Sequence, residues 1–138
     1  MIGVDTNVLL RYLTQDDATQ SAVASRFIEY QLSSTTPGHV SLVTLAELAW
    51  VLGSRFRATA AEIVDMVSQL ASDGRFVLQD DHAVWLAIEA VESLGVDLPD
   101  ALISFVNREH RCTHTVTFDQ RAARIPGMTL LQIGRAHV

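Results

Sequence analysis

The chain has 138 residues, 49% of them hydrophobic, which suits one compact domain with a sizeable core and excludes a disordered chain. With 10 basic and 16 acidic residues the formal charge is −6, which argues against nonspecific binding to nucleic acid, where phosphate contacts come from a basic surface. No apolar run approaches the roughly 20 residues that cross a bilayer.

All ten basic residues are arginine. Arginine suits bidentate phosphate contacts, but a compositional bias of the source genome explains the missing lysine equally well. The start, Met1-Ile2-Gly3-Val4-Asp5, has no basic stretch ahead of an apolar one, so no signal peptide is expected. Cys112 is the single cysteine, which rules out an internal disulfide and fits a reducing cytoplasm.

Residues 2–4 read as a short strand, and residues 7–13, with Val8, Leu9, Leu10, Tyr12 and Leu13, as a buried helix. Ala18, Ala22, Phe27, Ile28 and Leu32 recur at helical spacing over 17–32, and the polar segment 33–38, with Pro37 and Gly38, is a break. Residues 40–43 read as a second strand and 45–55 as a helix rich in Leu and Ala that includes Trp50. A helix over 59–72 puts Ile63, Val67, Leu70 and Ala71 on one stripe. Residues 76–78 form a brief strand, 81–94 a helix stopped by Gly95, and 98–109 a helix with Pro99 in its first turn. The β-branched run 113–118 is a buried strand, followed by a short helix over 119–124, a Pro126-Gly127 turn and a last strand over 129–133. Strands alternating with helices predict a single α/β domain over 1–138, a three-layer sandwich with a mostly parallel central sheet flanked by helices.

Asp5, Glu47, Asp100 and Asp119 each sit where one of these elements starts or stops. In a parallel α/β fold such positions converge at one edge of the sheet. Each also has a local explanation. Glu47 follows Thr44 at capping-box spacing, and Asp100, three after Asp97, offsets the helix dipole. Asp119 reads as the cap of a short helix; Asp5 ends a strand, and Asn7 reads as the cap of the helix after it. A cap contributes about 1 kcal/mol. Two carboxylates about 4 Å apart repel by about 4 kcal/mol at an effective dielectric of about 20. Gathering four therefore costs more than capping returns unless a cation neutralises them, and Mg²⁺ or Mn²⁺ suits an all-oxygen donor set.

The segments Val4-Asp5-Thr6-Asn7-Val8, Leu45-Ala46-Glu47, Asp100-Ala101-Leu102-Ile103 and Thr117-Phe118-Asp119 occur in an order and rough spacing that resembles the PIN-domain ribonucleases. The likeness is to the VapC toxins of bacterial toxin–antitoxin pairs in particular, and it spans nearly the whole chain. It implies a PIN-like fold in which Asp5, Glu47, Asp100 and Asp119 surround Mg²⁺ (or Mn²⁺), with Asp5 and Asp100 as the most direct ligands. Thr6, Asn7 and Thr117 would then support them by hydrogen bonding. The implied reaction is metal-dependent hydrolysis of RNA phosphodiesters, leaving a 5′-phosphate and a 3′-hydroxyl. Arg11, Arg121 and Arg124 lie near these acids in sequence and are the candidates for docking the RNA backbone. The resemblance further implies a homodimer and a small antitoxin partner, for which the apolar stripes of 45–55 and 59–72 are suitable.

A noncatalytic PIN-like module that binds RNA or protein is the alternative, and the intact acidic positions argue against it. A phosphatase-like hydrolase expects an Asp-x-Asp pair after the first strand, whereas Asp5-Thr6-Asn7 has only one aspartate. His110, Cys112 and His114 are too few for a structural zinc site, which takes four ligands. Ser104 shares a helical face with Asp100 and reads as an ordinary helix serine; Trp50 and Trp85 read as core or interface aromatics. The end, Gly134-Arg135-Ala136-His137-Val138, matches no motif.

Overall fold

The computed structural model describes residues 1–132, so Ile133 of the expected last strand and the terminal segment 134–138 lie outside the described residues. The chain divides into two compact units, Met1–Asp81 and His82–Val138.

The first unit runs β1 (Ile2–Gly3), α1 (Thr6–Thr14), α2 (Ala18–Gln31), β2 (Gly38–Val40), α3 (Leu42–Arg55), α4 (Ala60–Ser72) and β3 (Phe76–Leu78). Its strands form a parallel sheet in the order β1-β2-β3, with Ile2 opposite Gly38 and Val40 opposite Leu78. Parallel neighbours need long crossovers, which the pairs α1–α2 and α3–α4 supply. Leu9, Leu10, Ile28, Val40, Leu45, Leu48, Leu52, Val64 and Val67 are fully buried and form a core, but the faces are rotated from those read in the sequence: Ala18 and Ala22 are exposed, and Val64 is buried where Ile63 was expected.

Two local readings change. The second strand is 38–40 and not 40–43, because Ser41 leaves the strand to cap α3 and its Oγ accepts from Thr44 N at 3.1 Å. Gly38 belongs to the sheet and not to the preceding break. A Cβ at that position would lie 2.8 Å from Val4 Cγ2 and 2.9 Å from Leu32 Cδ1, so any side chain there would force those two to shift. At the other end of the unit, Asp73 binds Arg75 through its Nε and one terminal nitrogen, the latter at 2.7 Å. The same guanidinium reaches the Tyr12 hydroxyl at 3.3 Å and so ties α1 to the approach to β3.

The second unit is built on α5 (Asp81–Leu94), α6 (Leu98–Glu109), β4 (Thr115–Thr117), a 3-10 turn at Ala122–Arg124 and β5 (Met128–Leu130). β4 and β5 pair in parallel, Thr115 opposite Met128 and Thr117 opposite Leu130. The segment expected to be a buried strand is shorter and largely exposed, with Val116 and Phe118 open to solvent, because its alternating side chains leave one face uncovered. The helix expected over 119–124 is reduced to the 3-10 turn. Ser104 is buried, and its Oγ donates to Pro126 O at 3.2 Å, a packing role that joins α6 to the turn before β5. Neither tryptophan is a core residue: Trp50 is 68% exposed and Trp85 38%.

Among the described residues the fold is therefore α/β, six α-helices alternating with parallel strands, as the sequence predicted. No described helix is long and apolar enough to cross a membrane.

Candidate metal and active site

In the first unit, strand pairing runs up to Val4, whose N–H donates to His39 O at 3.0 Å, and Asp5 follows at once. Ser41 follows β2 and Gln79 follows β3, so these three residues mark the carboxyl edge of the sheet, where ligands bind in parallel α/β folds. Gln79 Oε1 accepts from Leu42 N at 3.0 Å, which satisfies one of the free N–H groups at the start of α3. No local motif signals this bond, since its partners lie 37 residues apart.

Asp5, and not Asn7, caps α1: its Oδ1 accepts from Thr6 N at 2.7 Å, and its backbone oxygen accepts from Val8 and Leu9. Asn7 stands inside the helix because the extended backbone ends one residue after the strand, at Asp5 itself. Thr6 is buried in the first turn. The Thr44–Glu47 capping box does not form either, since Ser41 holds that place. Glu47 lies on the second turn of α3, exposed, and makes no hydrogen bond among the described residues. Helical Cα–Cβ bonds lean toward the N-terminus, so Glu47 leans back toward the sheet edge from which α3 starts.

A cavity of about 720 Å³ opens beside Asp5, bounded by Asn7 and Val8 of α1 and by Val23 and Phe27 of α2. Arg11 also lines it, but its guanidinium is already engaged, with Asp16 at 2.9 Å and Gln20 Oε1 at 2.7 Å.

In the second unit, Asp100 occupies the first turn of α6, and Asp97, the N-cap residue, makes no side-chain cap bond. The Asp100 carboxyl is pushed above the usual carboxylate range, first by burial and then by the negative charges of Asp119 and Asp97, with Arg121 pulling the other way. Asp119 braces the turn that leads into the 3-10 helix, whose N-cap position is Arg121: its Oδ1 accepts from Arg121 N at 2.8 Å and Ala122 N at 3.1 Å. Thr117 Oγ1 accepts from Asp119 N at 3.0 Å and so fixes the backbone beneath it. Arg121 and Arg124 reach the carbonyls that end α5, where basic side chains are favoured: Arg121 binds Gly95 O, and Arg124 touches Leu94 O at 3.5 Å. Asp97, read only as a helix-start residue, is thus a third member of this acidic set.

The acids fall into two sets: Asp5 with Glu47 in the first unit, and Asp97, Asp100 and Asp119 in the second. Among the described residues no group of three or more His, Cys, Asp or Glu side chains stands as a ready-made metal cage. The chemistry of the donor set nonetheless suits a hard divalent cation, because every candidate ligand is a carboxylate. Cys112 is exposed, and His114 Nδ1 shares a 3.1 Å hydrogen bond with Thr113 Oγ1.

The model of the PIN domain family matches residues 2–128, a span that covers nearly all of the first unit and most of the second. No curated protein matches the chain.

Proposed function

Because the chain belongs to the PIN domain family, whose members are generally nucleases that use divalent metals, we propose that it is a metal-dependent endoribonuclease and the toxin of a type II toxin–antitoxin pair. In this reading Asp5, Glu47, Asp100 and Asp119 hold Mg²⁺ or Mn²⁺. When bound, the cation lowers the pKa of water and offsets charge developing on the phosphate.

The chain's own groups divide the remaining work. Asp119, with Oδ1 held by two backbone N–H groups, keeps Oδ2 available as a ligand oxygen. Glu47, free of any cap bond, accepts the proton of the attacking water. Thr117 keeps Asp119 in register, and Asn7, at the mouth of the cavity, offers an amide to the neighbouring acids or to RNA. Arg11, Arg121 and Arg124 contribute to RNA docking only through donors that their protein partners leave free.

The observation that carries this reading is the PIN-family match over residues 2–128, and the crowding of carboxylates around Asp100 supports it. A half-buried carboxylate that faces two others is destabilised as an anion, and a cation relieves it. Support for a protein partner comes from α3, where Val43, 79% exposed, and Trp50 flank Glu47 on one open face. We assign that face to the antitoxin, whose docking would cover Glu47, and we further propose a homodimer formed through another surface and a cytoplasmic location.

The test is incubation of labelled RNA with the protein and Mn²⁺, with and without EDTA, beside Asp5→Asn. Cleavage that needs metal and fails in the variant is expected. Equal cleavage by both proteins overturns the assignment, and binding without cleavage under any metal favours a noncatalytic module.

A further inference from the structure

Within the second unit, Arg121 touches both segments that bear its candidate ligands. Its backbone N–H donates to Asp119 Oδ1 at 2.8 Å. Its side chain crosses to the loop between α5 and α6, where Nε and a terminal nitrogen both donate to Gly95 O, at 3.0 and 2.7 Å. Gly95 ends α5 with φ +69°, a left-handed conformation that glycine adopts without strain, and the chain then runs directly through Asp97 to Asp100. One side chain therefore ties the turn that presents Asp119 to the loop that delivers Asp100. The sequence suggested a different use for this residue, contact with RNA phosphate.

We propose that Arg121 is a positioning residue for the metal: by gripping Gly95 O it fixes the spacing of Asp119 from Asp100 so that both carboxylates serve one divalent cation. The inference rests on the reading of these acids as metal ligands.

A second physical role has the opposite sign, which makes the proposal testable. A guanidinium beside carboxylates is also a rival cation, so if its charge were what mattered, removing it would tighten metal binding. If the grip matters, removing it weakens metal binding. Lysine keeps the charge but cannot reproduce the two converging N–H donors of the fork. Arg124 supplies the control, since it reaches the same helix end through one long contact to Leu94 O and makes no bond to Asp119.

The experiment is calorimetric titration of Mn²⁺ into the metal-free full chain for wild type, Arg121→Lys, Arg121→Gln, Arg124→Ala and Asp119→Asn, with thermal melts in EDTA. Both Arg121 variants are expected to weaken Mn²⁺ binding by roughly tenfold or more, the scale typical of lost groups that orient metal ligands. Arg124→Ala gives up only one long contact and is expected to keep wild-type Mn²⁺ affinity with a smaller loss of thermal stability than the Arg121 variants, so the melts in EDTA read support of the helix end apart from metal positioning. Unchanged or tighter Mn²⁺ binding in Arg121→Gln, with Asp119→Asn impaired, overturns the positioning role and leaves the metal assignment standing. Wild-type affinity in Asp119→Asn overturns the metal assignment itself. Should Arg121→Gln fail to fold, Arg121→Lys decides the same question, because it keeps the charge and most of the stem of an exposed residue.

Discussion

Asp73 in the first unit and Asp100 in the second are both half-buried carboxylates, and they are held in opposite ways. Asp73 grips Arg75, whose hydrogen bond holds its carboxyl below the usual range. Asp100 is desolvated beside Asp119 and Asp97, and its carboxyl is held above that range. Burial raises both; what separates them is the partner. An acid that brings its own counter-ion belongs to the architecture, whereas one that is crowded by other acids weakens the fold until something from outside neutralises it. The contrast sets the proposed metal ligand apart from the ion-paired acid where exposure does not, since both residues are half-buried.

The largest expected effect comes from removing the crowded acid. Asp100→Asn should lower Mn²⁺-dependent RNA cleavage by about 100-fold or more, since loss of a group that merely supports a metal ligand already costs roughly 10- to 100-fold. The same change should raise the melting temperature of the metal-free protein. A raised folded pKa gives stability that is complete below the unfolded carboxylate range and is lost as pH rises through the folded value, so at neutral pH ionised Asp100 is a burden that Asn removes. A melt in EDTA at neutral pH that shows Asp100→Asn less stable than wild type would break the comparison.

Asp73 should respond with the reverse sign. Its lowered folded pKa gives stability that is present above the unfolded value and is lost as pH falls through the folded one. Asp73→Asn should therefore cost about 1 kcal/mol near neutrality, the upper range for a solvent-accessible ion pair. The cost should vanish in acid, which denaturant melts at stepped pH would reveal.

The smallest effects sharpen the distinction within α3. Ser41→Ala should destabilise by about 1 kcal/mol, because Ser41 is the true N-cap. Glu47→Gln should leave stability within about 0.5 kcal/mol of wild type, as expected of an exposed residue that caps nothing, while cleavage falls. Urea titration paired with the RNA assay reads both. Equal destabilisation by the two changes would return Glu47 to a capping role.

Helix and strand order was legible because apolar spacing is a local signal that the core enforces. Six of the seven expected helices and the order of the five strands follow it, while the second strand moves to 38–40 and the helix over 119–124 shrinks to a 3-10 turn. Helix starts were less legible, since several polar residues compete for each cap and the backbone geometry chooses among them. Asp5 prevailed over Asn7, and Ser41 over Thr44. The acids themselves were readable from type and position, but their environment was not. The crowding of Asp100 by Asp97 and Asp119, the grip of Arg121 on Gly95 and the bond from Leu42 to Gln79 all join residues that local patterns leave unrelated. The arginines show the limit best: their charge suggested phosphate, whereas much of their donor capacity is used within the protein.

Gly38 bears no side chain, yet it shapes the approach of the chain to Asp5. Even one methyl group there would press on Val4, the residue that leads directly into Asp5. If Asp5 holds metal as proposed, a side chain at position 38 would lower activity by shifting Val4 and the carboxylate that follows it, with every proposed ligand still in the sequence.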